Sequence, residues 1–313
     1  MARGLFTFRY SDEQMKKLAD LGIEITYLPE DSLPEGTSLA GYDFLVCFNP
    51  FSRLDYTDQH LKWIHLVSKG VGHVPEFLRQ DPDIVITNNV SGPSVPIGEL
   101  IICYILEIFK NSRFFYEQQC QKVWKSNPDI LEITGKNICF LGTGLIAREA
   151  AARLHPWNAT LIGLNTSGHA VPEFDRVLPM SELSTALASA DVVISALPAT
   201  SETFHLLNAK TLRQIPRGAT LINISRGSVI DEKELCKLLA EDYFRGVALD
   251  VFETEPLPAE SPLWDDPRVI ITPHNALYSD WYQQRVFDGI YENAGRFLEG
   301  DRLCGIVDFK KGY

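Results

Sequence analysis

One short segment constrains the fold of this chain more than any other: GTGLIA, residues 142–147, between the apolar run KNICFLG and a helical pattern. It matches G-x-G-x-x-G/A, the pattern of a buried strand that turns directly into a helix. Gly142 permits a tight turn, Gly144 lets the backbone approach an anion, and Ala147 lets the helix pack closely on the sheet. The helix N-terminus offers unpaired N–H groups to a phosphate. An ordinary glycine turn is the alternative, but the second strand that follows, ATLIGLN, favours a dinucleotide-binding unit.

The rest of the chain repeats the same alternation of short apolar runs and helical patterns, which is typical of parallel βα units. At 313 residues the chain exceeds what one core usually organises. We therefore predict an α/β protein of two Rossmann-like, doubly wound parallel-sheet domains with a cleft between them. Residues 1–98 and 284–313 are predicted to form a discontinuous outer, substrate-binding domain, and residues 99–283 the dinucleotide-binding domain. Short helices are predicted at 12–21 and 58–62, and a long one at 98–121.

Composition narrows the class of partner and the compartment. The formal net charge of −12 disfavours nucleic acid, because a duplex binder needs a basic face. Six cysteines without C-x-x-C spacing, and a first segment MARGLFTFRY without a long apolar run, favour reduced thiols in the cytoplasm. We expect no membrane span and no metal site.

The end of the second strand bears on cofactor choice. An acidic residue there would accept the adenosine ribose hydroxyls, whereas this chain has Asn165, followed by Thr166 and Ser167. Amide and hydroxyl groups can donate to a 2′-phosphate that a carboxylate would repel, so NADP(H) is the preferred prediction. Arg148 is a candidate helper, since no arginine lies in the turn itself. NAD(H) stays possible if Asn165 only caps the strand.

Three polar side chains follow later strands: Arg226 in NISRGSVIDE, Glu255 in ALDVFETEPLP and His274 in ITPHNA. Ligands of doubly wound sheets bind beyond the carboxyl ends of strands. A cation for a carboxylate, a proton donor for an alkoxide and a carboxylate to hold that donor charged are what 2-keto acid reduction needs. Taken singly, each residue is better interpreted as an ordinary surface or loop residue, and only the combination favours catalysis.

Taken together, these segments resemble the D-isomer-specific 2-hydroxyacid dehydrogenase family along nearly the whole chain. The motifs LKWIHLVSKGVGH, GTGLIA, SALPATSET, NISRGSVIDE, ALDVFETEPLP and TPH follow the family's order. The resemblance implies that Arg226, Glu255 and His274 are catalytic. By its charge and by hydrogen bonding, Glu255 is expected to favour the imidazolium form of His274. The resemblance also implies that backbone N–H groups around Gly70, Val71 and Gly72 hold the substrate carboxylate. The predicted cofactor-binding residues are Gly142, Thr143, Gly144, Leu145, Ile146, Asn165, Thr166, Ser167, Ala196, Leu197, Pro198, Thr203, Ile224, Ser225, Asp250 and Ala276.

One departure from the family concerns the carboxylate loop, which usually contains A-G-x-D. Here it contains Lys69, Gly70, Val71 and Gly72, so the backbone donors persist while the Asp side chain is missing. Lys69 either faces the substrate or is solvated. Aromatic side chains form a second uncertainty: Phe51 is predicted to bind substrate, and Tyr278, Trp281 and Tyr282 are candidates to line an apolar pocket with it. Packing of a core or a dimer contact is the alternative for all of them.

These features predict an oxidoreductase that reduces a 2-keto acid with an apolar side chain to the D-2-hydroxy acid. Hydride would come from a nicotinamide cofactor, and the D configuration is implied by the resemblance alone. A hydroxypyruvate or glyoxylate reductase is the alternative with the same chemistry. A nucleotide-sensing, corepressor-like binding protein is the alternative from another class. We further expect a homodimer.

Overall fold

The computed structural model describes residues 1–68, 70–89 and 92–309. The chain forms two compact units, one of Met1–Gly92 and Ser279–Tyr313 and the other of Pro93–Tyr278. The predicted boundaries, after residues 98 and 283, both fall inside helices. The assignment of substrate to one unit and dinucleotide to the other stays a prediction.

The first unit is built on a five-stranded sheet in which every neighbouring pair of strands is parallel. In chain order its elements are β1 (Ala2–Phe6), α1 (Asp12–Asp20), β2 (Ile23–Tyr27), β3 (Thr37–Ser38), β4 (Phe44–Cys47), β5 (Leu54–Asp55), β6 (Trp63–Leu66), α2 (Glu76–Arg79), β7 (Val85–Asn88) and a C-terminal helix (Tyr282–Glu299). The sheet order β2-β1-β4-β6-β7 is that of a doubly wound fold, and β3 pairs with β5 apart from it.

Local sequence explains most of these elements. The strands β4 and β6 are fully buried and apolar except for His65, as expected for a parallel sheet covered on both faces. The helix α1 begins at a capping box, in which Ser11 and Gln14 bond to each other's backbone N–H groups. The predicted helix at 58–62 is wrong, because Asp58 adopts a left-handed φ of 55° in a turn and Gln59 then forms a β-bridge with Ala40.

The second unit carries a seven-stranded parallel sheet. In chain order its elements are α3 (Ser94–Lys110), α4 (Ser112–Cys120), β8 (Asn137–Leu141), α5 (Leu145–Leu154), β9 (Thr160–Asn165), β10 (Arg176–Pro179), α6 (Leu183–Ala188), β11 (Val192–Ser195), α7 (Ala209–Leu212), β12 (Thr220–Asn223), α8 (Glu232–Ala240), β13 (Gly246–Leu249) and β14 (Val269–Ile271). The order β10-β9-β8-β11-β12-β13-β14 extends the dinucleotide-binding order by one strand. The predicted doubly wound class is confirmed for each unit.

The predicted long helix at 98–121 is two helices. Asn111 lies between α3 and α4 with φ 54° and ψ 44°, a left-handed conformation that asparagine tolerates better than most residues. The first helix also begins earlier than predicted, at Ser94, because Pro96 fits within the first turn, where no backbone hydrogen bond is lost.

The helices α3 and α5 pack closely against each other. A Cβ on Gly98 would lie 3.1 Å from Glu149 Cγ and 3.2 Å from the backbone nitrogen of Ala150, so glycine lets the helices approach. On the inner side of α5, Ala147 and Ala151 are fully buried, and these small side chains bring the helix close to the sheet. Within the described ranges, every helix is too short or too polar to span a lipid bilayer.

Candidate active site

The turn between β8 and α5 has the shape that a diphosphate needs. Gly142 has a φ of +100°, and a Cβ there would lie 2.8 Å from Ala196 O, so glycine is required both by conformation and by space. A Cβ on Gly144 would meet nothing within 4 Å, and no side chain caps α5 at this residue. The first N–H groups of this helix are therefore available to an anion, and the residues fit the pyrophosphate of a dinucleotide.

Asn165 stabilises the turn that follows β9. Its Nδ2 donates to Thr143 Oγ1 at 3.2 Å and to His169 O at 3.0 Å, while its Oδ1 accepts from the N–H of Gly168 at 2.7 Å. The Asn165 amide thus connects the glycine turn after β8 with the turn after β9. Thr166 and Ser167, which follow Asn165, are exposed.

Arg148 is committed to another partner. Its Nε and Nη2 lie 3.0 Å and 2.8 Å from Glu173 Oε1. This hydrogen bonding raises the pKa of Arg148 and lowers the pKa of Glu173. A role for Arg148 at a 2′-phosphate would require this pair to open.

The other predicted cofactor residues lie just beyond the carboxyl ends of β11 to β14. Thr203 Oγ1 donates to Pro198 O at 2.7 Å and closes the loop after β11. At the end of β12, Ser225 Oγ donates to Asn223 Oδ1 at 2.8 Å and lies 2.7 Å from Ser195 Oγ. The remaining members are Ala196 and Leu197 after β11, Ile224 after β12, Asp250 after β13 and Ala276 after β14.

Asp250 organises the turn that carries His274. This carboxylate is 2% exposed and accepts from Thr272 Oγ1 at 2.5 Å, from the N–H of Asn275 at 2.9 Å and from the N–H of Ala276 at 3.2 Å. The N–H of His274 donates to Asp250 O at 2.8 Å. These bonds hold His274 at a φ of 50°, which is rare for a residue other than glycine and marks a constrained position.

Sequence reasoning missed two supports of this turn. The hydroxyls of Tyr104 and Thr272 lie 2.5 Å apart, which extends the Asp250 network to α3. Burial is the main reason that the pKa of Tyr104 is raised. Thr272 lies in the TPH motif and was within reach of sequence reasoning, whereas nothing distinguishes Tyr104 within an apolar helix.

His274 and Glu255 are in direct contact. His274 Nδ1 lies 2.8 Å from Glu255 Oε2, and Glu255 Oε1 accepts from the N–H of Phe252 at 3.0 Å. Both carboxylate oxygens are therefore used, one to fix the imidazole and one to fix the loop. Within the described ranges His274 Nε2 makes no hydrogen bond, so this nitrogen is free to transfer a proton to a ligand.

Gly227 brings the loop of Arg226 against the loop of Glu255. A Cβ on Gly227 would lie 1.8 Å from the carbonyl carbon of Phe252 and 2.3 Å from the nitrogen of Glu253. Arg226 itself is exposed, and its Nη1 donates to Ser225 O at 2.6 Å. The glycine is the part of this contact that sequence reasoning missed, although it directly follows the predicted catalytic arginine.

The predicted substrate residues of the first unit follow β4 and β6. Phe51 is 5% exposed, and its ring stacks on His73 with centroids 6.1 Å apart. Gly70 O accepts from Ser68 Oγ at 2.8 Å, and Gly72 O accepts from Arg79 Nη2 at 2.7 Å. Val71 is also buried.

Gly72 stands where the family has Asp. A Cβ there would meet nothing within 4 Å, so the place of the missing side chain is open. Burial is the main reason that the pKa of the adjacent His73 is lowered. Lys69, whose orientation we left open, lies outside the described residues.

The aromatic candidates separate by exposure. Tyr278 and Trp281 are exposed at 64% and 60%, whereas Tyr282 packs against the core of the first unit. Packing is therefore the better explanation for Tyr282.

Comparison with known proteins identifies the family of this chain. Residues 102–276, more than half of the chain, match the model for the NAD binding domain of D-isomer specific 2-hydroxyacid dehydrogenase. The structure resembles that of a D-isomer specific 2-hydroxyacid dehydrogenase family protein from Aeromonas salmonicida, with a TM-score of 0.81, 30% identity and coverage of 98% of this chain and 99% of that chain.

Two further structures support the fold. A D-isomer specific 2-hydroxyacid dehydrogenase from Xanthobacter autotrophicus, in complex with NADPH and MES, has a TM-score of 0.82, 24% identity and coverage of 100% and 99%. An NADPH-dependent glyoxylate/hydroxypyruvate reductase from Sinorhizobium meliloti, in complex with NADP and sulfate, has a TM-score of 0.81, 24% identity and coverage of 100% of both chains. With the family model and the Aeromonas protein, the predicted resemblance is confirmed: this chain belongs to the D-isomer-specific 2-hydroxyacid dehydrogenase family.

Proposed function

We propose that this protein reduces a 2-keto acid to the D-2-hydroxy acid and uses NADPH in preference to NADH. Family membership supports an NAD(P)-dependent oxidoreductase of 2-hydroxy acids. The observation that carries the finer proposal is the 2.8 Å bond between His274 Nδ1 and Glu255 Oε2, on a loop that Gly227 packs against. This bond orients His274 as a proton donor, and Gly227 packs the loop of Arg226 against the loop of Glu255.

The residues of the second unit suit the roles of this reaction. The glycine turn at 142–146 would hold the pyrophosphate of the cofactor. The loops after β11 to β14 would hold the nicotinamide half of the cofactor. When bound, the nicotinamide supplies the hydride that reduces the keto carbon. Arg226, which forms no ion pair with a described carboxylate, binds the substrate carboxylate and polarises the carbonyl.

His274 completes the reduction by donating a proton from Nε2 to the carbonyl oxygen. Glu255 holds Nδ1, which orients the ring for this transfer. The neutral ring that remains keeps its Nδ1 proton towards Glu255 and regains the lost proton from solvent. Gly70 to Gly72 of the first unit are proposed to bind the carboxylate through backbone N–H groups.

The cofactor preference rests on Asn165 in the place of an acidic residue, together with the exposed hydroxyls of Thr166 and Ser167. An amide adds no negative charge that would repel a 2′-phosphate. The Xanthobacter and Sinorhizobium proteins bind NADPH or NADP, but at 24% identity they carry no weight beyond the fold. NAD(H) stays the alternative, because the bonds of Asn165 within the turn also suit a purely structural role.

The aromatic residues bear on the substrate class. An apolar side chain was predicted from four aromatic residues, of which Phe51 is buried and Tyr282 packs in a core. Tyr278 and Trp281 are exposed at the surface and stay candidates. Because Phe51 and Tyr282 pack within the protein, fewer aromatic side chains can line an apolar pocket. Our second proposal is therefore a smaller substrate, glyoxylate or hydroxypyruvate.

One assay tests these proposals together. Purified protein is mixed with NADPH or NADH and a panel of keto acids that includes pyruvate, phenylpyruvate, branched-chain acids, glyoxylate and hydroxypyruvate, and nicotinamide absorbance is followed. Oxidation with any of these acids supports the reaction, and no oxidation with all of them contradicts it. Higher kcat/KM for glyoxylate than for phenylpyruvate would reject the apolar pocket.

The remaining proposals concern assembly and location. We propose a homodimer, supported by the helix α4 and the segment after it, where Tyr116 is 66% exposed and Trp124 is fully exposed. Sedimentation that gives the mass of one chain would contradict this. A cytoplasmic location is supported by six cysteines that are all unpaired.

A further inference from the structure

A histidine outside the predicted catalytic set bonds to both loops of the site. His205 Nε2 lies 2.6 Å from Glu253 Oε1, and the N–H of His205 donates to Ser228 O at 2.8 Å. Ser228 belongs to the segment that follows Arg226, and Glu253 belongs to the segment that ends at Glu255. His205 therefore connects the loop of the cation with the loop of the carboxylate.

The imidazole of His205 is itself held in place. Its residue has a φ of 47°, and its carbonyl accepts from Asn208 Nδ2 at 3.0 Å. Beyond it, Leu207 N donates to Val229 O at 3.0 Å, which continues the contact with the segment after Arg226. The ring of Phe204 stacks on the imidazole with centroids 4.0 Å apart and planes at 16°. Such a side chain can position a partner without first having to be ordered.

Glu253 is fixed through both its side chain and its backbone. His205 holds the carboxylate, and the N–H of Glu253 donates to Glu232 Oε1. Burial raises the pKa of Glu232, and the charges of Glu253 and Glu255 raise it further against the opposing effect of that N–H. Three carboxylates thus lie close enough to repel one another, and release of one of them would disturb the loop.

We propose that His205 is a positioning residue: by holding Glu253 it sets the place at which Glu255 meets His274. The inference rests on the proposed function, because its consequence is a change in that reaction. Asp231 Oδ2, 3.9 Å from His205 Nδ1, is the other carboxylate that faces the ring, and it also caps α8. His205 touches none of the proposed reacting groups, so it acts only through the 252–255 loop.

Steady-state kinetics of four variants test the proposal. His205→Ala should lower kcat by about tenfold, since small misplacements of a catalytic group are costly, while KM for NADPH changes little. His205→Gln should recover most of the loss, because its amide nitrogen can donate to Glu253. Glu255→Gln should lower kcat by itself, and His205→Ala should then cause no further loss in the Glu255→Gln background.

The matched control is His155→Ala, which removes an exposed imidazole elsewhere in the same unit. It should leave kcat unchanged. Wild-type kcat in His205→Ala would overturn the proposal. A loss of the same factor in both backgrounds would also overturn it, because general destabilisation does not depend on Glu255.

A second measurement needs neither cofactor nor substrate. In the proton NMR spectrum of the free protein, the Nδ1–H of His274 should give a low-field resonance, assigned by its loss in His274→Ala. His205→Ala should shift or broaden this resonance, and His205→Gln should restore it. An unchanged resonance would refute the positioning role, whereas an inactive wild type with the expected shifts would refute only the proposed reaction.

Discussion

Replacement of Gly227 by alanine tests how closely the loops of Arg226 and Glu255 must approach. The added Cβ would lie 1.8 Å from the carbonyl carbon and 1.9 Å from the carbonyl oxygen of Phe252. Carbon atoms in contact prefer separations of about 3.5 Å or more, so the loops must part by roughly 1.5 Å. Both obstructing atoms are backbone, so no side-chain rotation relieves the overlap. We expect the free energy of unfolding to fall by about 1–3 kcal/mol, as in other overpacked sites.

Activity should respond more strongly than stability to Gly227→Ala. A shift of about 1 Å in a catalytic group can cost about a hundredfold in rate, so kcat/KM should fall by that order. Urea unfolding followed by tryptophan fluorescence gives the stability, and NADPH oxidation gives the rate. Gly295→Ala in the C-terminal helix is the control, because a Cβ there meets nothing within 4 Å and alanine favours helices by about 0.5–1 kcal/mol. Wild-type stability and activity in Gly227→Ala would refute the close approach.

Three further substitutions probe other parts of the molecule. His274→Ala should lower kcat at least about a hundredfold with every active keto acid, and near-wild-type turnover would defeat its assignment as proton donor. Asn165→Asp should shift the ratio of kcat/KM from NADPH towards NADH by about tenfold or more through repulsion of the 2′-phosphate, and a wild-type enzyme that prefers NADH tenfold would reject the preference itself. Burial lowers the pKa of His65 to about 3 from its ordinary 6.5, so the unfolded chain takes up a proton between these pH values that the folded chain does not. Stability should therefore fall by about 2 kcal/mol from pH 7 to pH 5, and His65→Gln should lose that part of the dependence; an equal pH slope in both proteins would contradict it.

Most strands of the two sheets could be predicted because buried parallel strands leave short apolar runs in the sequence, whereas the edge strand β10 was missed. KNICFLG and ATLIGLN are such runs, and they lie at β8 and β9. The errors come from single residues whose backbone conformation the pattern does not encode. Asn111 adopts a left-handed conformation, which ends α3. Asp58 also adopts a left-handed conformation, in the segment where a short helix was predicted.

In the candidate site, too, some residues could be predicted from the sequence and others could not. Arg226, Glu255 and His274 stand out because polar residues follow apolar strands, and the contact between the last two is present at 2.8 Å. The supports of the site have no such signal: the contact of His205 with Glu253 joins positions 48 residues apart. Contacts of this kind depend on the strand order, which brings loops together that the sequence keeps apart.

The role proposed for Arg226 requires a cation that no carboxylate of this acidic protein already neutralises. With 41 acidic and 29 basic residues, carboxylates are plentiful, and Arg148 and Arg268 are among the guanidiniums paired with them. The adjacent carboxylates each have another partner. Glu232 accepts from the N–H of Glu253, Glu253 is held by His205, and Glu255 is held by His274. These bonds keep nearby negative charge occupied and in place, and Arg226 forms no ion pair within the described part of the chain. Arg226 is thus able to bind the carboxylate of the proposed substrate.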